Sequence, residues 1–270
     1  MGGEQVRTLI SNEQWEQIAP LIIGKPSDRG VTGRNNRSFV EAVLWILRTG
    51  APWRDLPPVF GKWQTIYKRF ARWCCQGIWQ RIRKALQPAN PCNIVMLDST
   101  IVRAHQHSAG GAGGKGMQAI GRSRGGLSTK VHVLLTLTGT VSKSIITCGH
   151  ESDIKYAPAL LENSPRNSIV IGDKGYDSDA FVTAIEQRQG QAVIPPRCTR
   201  KVQREYSHRL YRERNRVERY FARLKQFRRL ATRYDKTITS FAGFFELANL
   251  HMQWVFKLEK NSLAGHCLFV

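Results

Sequence analysis

Two aspartates lie in apolar segments, where an isolated carboxylate is costly. Asp98 interrupts the β-branched run NIVMLDSTIV, and Asp173 ends the short apolar run SIVIGD. A carboxylate buried in a strand destabilises the fold unless it is paired or binds a metal ion. Magnesium prefers oxygen ligands and often takes one or two carboxylates together with substrate phosphate oxygens. The pair therefore indicates a magnesium site, although Asp173 taken alone is more typical of a turn residue before Gly175.

A third acidic residue, Glu218, lies in a segment that predicts one helix over residues 207–227. At about 100° per residue, an apolar stripe contains Leu210, Val217, Phe221 and Leu224. The opposite side carries Arg212, Arg216, Arg219 and Arg223. A third stripe beside the apolar one, within about 60° of arc, contains Tyr211, Arg214, Glu218 and Lys225. Glu218 could therefore meet Asp98 and Asp173 at the rim of a core, although an ordinary amphipathic helix would give the same alignment.

The charge of the chain indicates a polyanionic partner. Lys and Arg number 41 and Asp and Glu 20 in 270 residues, a formal net charge of +21. Each cation that neutralises a phosphate releases a counterion, which favours binding to nucleic acid. We expect no membrane partner, because no apolar run approaches the roughly 20 residues of a spanning helix. None of the six cysteines forms a C-x-x-C pair, which is typical of reduced thiols in a cytoplasmic protein.

The first 90 residues predict a small helical domain. Ser11 with Gln14, and Ser38 with Glu41, have the spacing of capping boxes, and the second helix is expected to end at Gly50. Further helices are predicted over residues 62–75 and 78–86, before the boundary segment QPANP. A helix, a turn and a basic helix suggest a helix-turn-helix-like DNA-binding domain. A plain helical bundle with a solvated basic face is the more common origin of this pattern.

Residues 91–258 predict an α/β layered domain. Apolar runs predict buried strands over residues 93–102 and 168–173, and residues 128–149 predict two strands around the turn at Thr138 and Gly139. A helix over residues 178–189 and a strand over 191–196 follow. Helical patterning resumes over residues 241–258, and residues 259–270 read as a loose tail. Strands that later alternate with helices are typical of layered α/β folds.

Three further features have two interpretations each. The glycine-rich segment 106–126, with Lys115, Arg122 and Arg124, is either a basic loop that orders on DNA or an exposed linker. His105 and His107 could contact metal or phosphate, but a polar loop is favoured because magnesium prefers oxygen. Four tryptophans are expected in the helical core rather than stacked on bases, namely Trp45, Trp53, Trp63 and Trp73.

Several spaced motifs resemble one protein family. The spacing Tyr211, Arg214, Glu218 and Lys225 resembles the Y-R-E-K signature of bacterial insertion-sequence transposases of the DDE type. Asp98 in LDSTIVRAH and Asp173 in GDKGYDS resemble the first and second catalytic aspartates of that family. The motifs GRSRGGLSTKVH and APWRDLP are similar to those of its insertion sequence five-like group. The resemblance extends from about residue 9 to residue 256.

This resemblance implies a fold and a site. The fold would be RNase H-like, a mixed five-stranded sheet with flanking helices, preceded by the small helical domain. Asp98, Asp173 and Glu218 would be the catalytic triad and would bind two Mg²⁺ or Mn²⁺ ions. The DNA contacts would be Tyr211, Arg214 and Lys225, with Arg122, Arg124 and Lys130 of the glycine-rich motif.

The expected function is a DNA transposase of a bacterial mobile element. It would bind the terminal inverted repeats, hydrolyse the phosphodiester bond at the element end to a 3′-hydroxyl, and join that end to target DNA by two-metal-ion catalysis. We expect a homo-oligomer on double-stranded DNA, in the cytoplasm at the nucleoid. Two alternatives remain: a repressor that binds the repeats without catalysis, and an RNase H-like nuclease without strand transfer.

Overall fold

The computed structural model describes residues 10–29, 32–87 and 93–264, with only the backbone for residues 255–264. The described residues form two compact units. The helical unit comprises residues 10–87, 226–230 and 239–264, and the sheet unit comprises residues 93–225 and 231–238, apart from the gap at residues 30–31. The predicted boundary after Gln87 lies outside the described residues, and so does the predicted tail beyond residue 264.

The helices and strands are as follows. The helices are α1 (Asn12–Ile18), α2 (Asn36–Thr49), α3 (Trp63–Cys75), α4 (Ile78–Ala85), α5 (Gly114–Met117), α6 (Asp153–Leu161), α7 (Asp179–Gln187), α8 (His208–Tyr211), α9 (Asn215–Leu224), α10 (Arg228–Ala231) and α11 (Ile238–Ala264). The strands are β1 (Ile94–Ala104), β2 (Gly121–Ser123), β3 (Gly126–Thr136), β4 (Val141–Cys148), β5 (Ile169–Ile171), β6 (Gln191–Val193) and β7 (Thr232–Arg233). No described helix is both long enough and apolar enough to cross a membrane.

The first two helices begin at side-chain caps. Ser11 and Gln14 form the predicted capping box of α1. The predicted capping box of α2 is wrong, because Asn35 caps that helix and its side chain accepts a hydrogen bond from the Ser38 amide. Asn35 has a φ of 43°, a left-handed conformation that asparagine tolerates better than most residues. The helix ends at Gly50 with a φ of 70°, as predicted.

The core of the helical unit is aromatic, and α11 supplies part of it. Phe70 of α3 packs against Phe244 of α11 with ring centroids 4.4 Å apart, and Trp73 packs against Trp79 of α4 at 5.0 Å. Arg83 of α4 forms a buried ion pair with Glu246 of α11. The backbone of α11 continues to Ala264, so residues 259–264 are helical rather than a loose tail. The last helix therefore completes a core that the N-terminal helices begin.

The sheet unit is built on a mixed sheet. The described residues form seven strands rather than the expected five. β1 is antiparallel to β3 and parallel to β5, β5 is parallel to β6, and β4 is antiparallel to β3. The short strand β2 pairs with one end of β3, on the same side of β3 as β4. The short strand β7 pairs with one end of β1, on the same side of β1 as β5. The seven strands therefore occupy five positions, in the order β4, β3, β1, β5, β6.

Helices cover both faces of this sheet around β1. Val95 and Leu97 of β1 pack in a core with residues of α6 and α7, such as Leu160 and Ile185. Neighbouring strand residues point to opposite faces, so Asp98 points away from this core. On that other side α9 packs against β1. This packing places α9, the helix that carries Glu218, against the strand that carries Asp98.

Two segments differ from their predicted structures. The predicted helix over residues 207–227 is divided into α8, a 3₁₀ turn at Arg212–Arg214 and α9. The glycine-rich segment contains a 3₁₀ helix at Gln106–Gly110, then α5 and β2. Neither α6 nor β7 was predicted, and the proline inside α6, Pro158, obscured the helical pattern there.

Candidate active site

Strand register places Asp98 and Asp173 side by side. In the parallel pairing of β1 with β5, Met96 lies opposite Ile171, and β5 ends there. Asp98 and Asp173 each follow two residues later. The Asp98 carboxylate accepts a hydrogen bond from the Ser99 amide at 2.8 Å, and the Asp173 carboxylate accepts one from the Gly175 amide at 2.9 Å. Asp173 therefore caps a turn, as its alternative interpretation predicted, at the same edge as Asp98.

Arg214 joins Glu218 to this pair. One guanidinium nitrogen, Nη1, donates to Glu218 Oε1 at 2.7 Å, and the other, Nη2, donates to Asp98 Oδ2 at 3.0 Å. The Asp98 side chain is 16% exposed, and the Glu218 side chain is 57% exposed. The 3₁₀ turn that ends at Arg214 lies directly before α9, so arginine and glutamate remain four residues apart on the same side.

The electrostatic environment of Asp98 favours a cation. The pKa of the Asp98 carboxyl is raised to about 6, chiefly by burial and in smaller part by the negative charges of Asp173 and Asp153. The Ser99 amide and the positive charge of Arg214 oppose this shift in the pKa. Taking a carboxylate out of water beside other carboxylates costs free energy, which a bound cation offsets. In the metal-free chain Arg214 supplies that positive charge.

The donor set suits a hard divalent ion. Asp98, Asp173 and Glu218 offer only carboxylate oxygens, the ligands that magnesium and manganese take. Within the described residues, no group of three or more His, Cys, Asp or Glu side chains is gathered to hold a metal ion. Glu218 is instead paired with Arg214. The two aspartates therefore form the fixed part of a candidate metal site, and Glu218 is its exposed member.

Tyr211 lies at this site, and Lys225 does not contact it. Burial raises the pKa of the Tyr211 phenol, and the charges of Arg214, Asp173 and Glu218 also act on it. Lys225 is exposed at the C-terminal cap of α9, about 10 Å along the helix axis from Glu218. The described contacts include none between Lys225 and the carboxylates. Of the four residues of the predicted polar stripe, only Tyr211, Arg214 and Glu218 therefore lie at the carboxylate site.

The three predicted DNA contacts of the glycine-rich motif separate into two groups. Arg122 on β2 and Arg124 in the turn after it are exposed. Lys130 on β3 is only 8% exposed, and its Nζ lies 3.2 Å from the Asp153 carboxylate and donates to the Glu151 carbonyl at 2.7 Å. The structure therefore leaves the two arginines available to a partner and turns Lys130 inward.

A buried polar network beside Asp98 was not foreseen. Ser99 Oγ donates to Asp153 Oδ1 at 2.6 Å, and His132 Nδ1 lies 3.3 Å from the same oxygen. Burial opposes ionisation of Asp153, but hydrogen bonds from His132 and Ser99 and the charge of Lys130 lower its pKa to about 2. The signal that was available in the sequence is the alternation of Lys130 and His132 with apolar residues in β3.

The histidines near the glycine-rich segment pack on each other rather than on the carboxylates. The ring of His105 lies 4.7 Å from that of His107 and is stacked on Tyr234 at 4.8 Å. These contacts fit the polar-loop interpretation of the pair.

Comparison with known proteins identifies the family. Residues 91–252, more than half of the chain and the whole of the candidate site, match the family model described as "Transposase DDE domain". The chain therefore belongs to the DDE transposase family. Residues 10–83 match a second model, described as "Putative transposase of IS4/5 family". The two matches together make this an insertion-sequence transposase.

Individual relatives agree with this family. A protein of Brucella ovis named "Putative transposase for insertion sequence element IS6501" is 35% identical over 125 residues, which are 45% of this chain and 95% of that protein. "Uncharacterized protein y4sN" of Sinorhizobium fredii is 37% identical over 107 residues, 40% of this chain and 86% of that protein. A solved structure titled "Mos1 transposase paired-end complex with left transposon end" aligns with 93% of this chain and 87% of its own, at 15% identity and a TM-score of 0.27, too low a likeness to carry an argument.

Proposed function

We propose that this transposase cuts and joins DNA with divalent metal ions held by Asp98, Asp173 and Glu218. The observation that supports the proposal is that Arg214 binds both Asp98 and Glu218, which are far apart in the sequence, while Asp173 lies close enough for its charge to act on Asp98 and on Arg214. Two ions at such a site activate the attacking oxygen and stabilise the leaving one. Magnesium is the expected ion, and manganese would substitute for it.

The proposed reaction has two steps at the same site. First, the oxygen of a water molecule bonds to phosphorus at the end of the element and the bond to the 3′-oxygen breaks. That oxygen takes a proton and becomes a free 3′-hydroxyl, leaving a 5′-phosphate. Second, the hydroxyl oxygen bonds to a phosphorus of target DNA, and the target's own 3′-oxygen leaves with a proton. No net change in the number of phosphodiester bonds accompanies the second step.

The residues of the chain position these groups. The amides of Ser99 and Gly175 fix the two aspartates. Arg214 neutralises charge at the site and, because its guanidinium is a planar fork, can also bind a phosphate oxygen. Tyr211 and Lys225 would bind the DNA flanking the cleaved bond, and Arg122 and Arg124 would bind it further away. These roles follow the Y-R-E-K signature and the insertion sequence five-like group that the motifs resemble.

We also propose the finer features of fold and assembly. The five positions of the sheet, antiparallel on one side of β1 and parallel on the other, support an RNase H-like catalytic domain in the sheet unit, residues 93–225 and 231–238. The DNA-binding domain, predicted over residues 1–90, would be the helical unit, which also includes residues 226–230 and 239–264. The protein would act in the cytoplasm as a homo-oligomer that holds two inverted repeats.

The test is cleavage of duplex DNA that carries the inverted repeats flanking the gene. With Mg²⁺, Glu218→Ala should abolish cleavage while binding of the same DNA is retained, because one carboxylate donor is lost. Glu213→Ala is the matched control, since the Glu213 side chain is 37% exposed, lies on the same segment and pairs with Arg216. Wild-type cleavage by Glu218→Ala would reject the site.

The same assay separates the two alternative functions. Wild-type protein that binds the repeats and never nicks them in Mg²⁺ or Mn²⁺ would be a repressor. Nicking without any joined product, when target DNA is supplied, would indicate a nuclease. Activity restored only by zinc after chelation would point to histidine ligands and would contradict the carboxylate site.

A further inference from the structure

A large groove in the helical unit has seven cationic side chains among its described lining residues. Its volume is about 1420 Å³, and its walls are the segment before α2, the turn before α3 and one face of α3. We call it the basic groove. Its cationic lining residues are Lys25, Arg29, Arg34, Lys62, Lys68, Arg69 and Arg72. Asp28 is its single carboxylate, and the amides of Gly24 and Lys25 already donate to it at 2.8 and 3.0 Å.

The α3 wall of the groove is a continuous polar face. At about 100° per residue, positions 62, 65, 68, 69, 72 and 76 fall within about 120° of arc. Lys62, Lys68 and Arg72 are exposed on this face. The hydroxyl of Thr65 and the amide of Gln76 also line the groove and can donate hydrogen bonds. The buried residues of α3 lie beside this face, and two of them, Ile66 and Trp73, also line the groove.

Arg69 shows that the groove is more than a solvated charged surface. Its guanidinium is half-buried, stacked over the rings of Phe39 at 4.2 Å and Trp73 at 5.0 Å. It donates to the Asn36 side chain and to the Ile23 carbonyl. Among the described residues no carboxylate pairs with it. The pKa of Arg69 is lowered to about 10, chiefly by burial and in smaller part by the nearby charge of Arg72. Such a fixed, desolvated cation costs free energy that an anion in the groove would recover.

We infer that the basic groove binds the sugar-phosphate backbone of duplex DNA, with Arg69 as a fixed anchor and the exposed cations of α3 along one strand. Lys62 and Arg72 are ten residues apart, roughly 15 Å along the helix. One strand of duplex DNA carries about four phosphates over that length. Four cations of α3 line the groove over it.

This assignment differs from a recognition helix that reads bases. Contacts to phosphates position a protein and supply affinity but carry no sequence information. The basic groove should therefore bind repeat DNA and unrelated DNA alike. The inference rests on the proposed function only in taking DNA as the partner, and it requires neither metal nor cleavage.

The experiment measures affinity of the full-length chain for a random-sequence duplex, without metal, over a range of salt concentrations. Lys62→Gln, Lys68→Gln and Arg72→Gln should each weaken binding and reduce the slope of log K against log salt by about 0.9, the value for one phosphate contact. Lys84→Gln and Arg81→Gln are the matched controls, because these residues are exposed on α4 and do not line the groove. The controls should keep the wild-type slope.

A second arm tests the kind of contact and the kind of partner. The ratio of affinities for repeat DNA and the random duplex should be the same in Arg72→Gln and wild type. A changed ratio would mean base readout and would overturn the inference.

Equal slopes for Arg72→Gln and Arg81→Gln would also overturn the inference, as would tighter binding of single-stranded DNA or polyglutamate than of duplex DNA. Because every substituted lysine or arginine is exposed, folding is not at risk. Loss of cleavage with these binding results intact would reject the proposed function alone.

Discussion

Arg214 balances the charge of two carboxylates that lie on different elements of the sheet unit. It contacts Asp98 on β1, which lies 116 positions before it in the sequence, and Glu218 on α9, which lies four positions after it. The sequence predicted that Arg214 and Glu218 share a side of a helix, because that depends only on local geometry. It could not predict the contact with Asp98, which depends on how α9 packs against β1. The inward position of the Lys130 amine was unpredictable for the same reason. Alternation along β3 shows which face of the sheet a side chain is on, but not whether the charged end of a long side chain reaches water.

The raised pKa of Asp98 gives a prediction for the metal-free protein. Its folded pKa of about 6 lies above the ordinary value of 3.8 for an aspartate, so the folded state binds more protons between these values. Stability should therefore fall as pH rises from about 4 to about 6. Asp98→Asn should remove this part of the pH dependence, as measured by denaturant unfolding in chelator.

Arg214→Ala tests the cause of that pKa. Arg214 lowers the Asp98 pKa, so its removal should raise the pKa above the wild-type value in a carboxyl NMR titration. Arg216→Ala is the control, because Arg216 pairs with Glu213 instead. An unchanged Asp98 pKa in Arg214→Ala would show that the bridge does not form in solution.

At the scale of elements, the apolar runs and the cap of α1 were predictable, whereas the cap of α2 and the interruptions of helices were not. The strands β1 and β5 follow directly from apolar, β-branched runs, and α1 from its capping box. The 3₁₀ turn at Arg212–Arg214 was not predicted, because a tighter winding of only three residues leaves the apolar positions before and after it nearly on the same helical face. The helix α6 was not predicted because Pro158, the sixth of its nine residues, reads as a helix breaker.

The close packing of α11 on α3 and α4 gives a second prediction. A Cβ added at Gly243 would collide with Cys74 Sγ and come within 3.5 Å of the Trp79 ring. Gly243→Ala should therefore destabilise the protein by about 1–3 kcal/mol, the usual cost of overpacking a core. Urea unfolding measures the loss. Adding Cys74→Ala should recover part of it, because the colliding sulfur is then absent.

Gly116→Ala is the control for that substitution. Gly116 lies in α5, and a Cβ there would meet no atom within 4 Å. This variant should be as stable as wild type or slightly more stable, since alanine has the higher helix propensity. Equal stability of Gly243→Ala and Gly116→Ala would contradict the packing of α11 on α3.

At the scale of the whole molecule, the helical unit is discontinuous in sequence. Residues 10–87 contribute α1 to α4, and residues 226–230 and 239–264 complete the unit after the sheet unit has intervened. A boundary near residue 90 was predicted from composition alone. The return of the chain to the first unit was not, because a helical pattern does not show which core the helix joins.

Discontinuity predicts the behaviour of fragments. Residues 1–87 alone would expose the faces of Phe70 and Trp79 that Phe244 and Gly243 of α11 cover. We therefore expect no cooperative thermal unfolding of this fragment by circular dichroism. Joining residues 226–264 through a flexible linker should restore a cooperative transition. A cooperative transition in 1–87 that the added segment leaves unchanged would show that α11 is dispensable.

The late position of α11 also has a consequence for synthesis on the ribosome. About 150 residues separate Gln87 from the segment of α11 that joins the helical unit, and at translation rates of about 5–20 residues per second their synthesis takes roughly 8–30 s. Throughout that interval the nascent N-terminal helices display the apolar surface that Phe244 will cover. A chain that is released early thus emerges with its first unit unfinished and exposed to chaperones and proteases, so interrupted translation yields no stable competitor for the DNA.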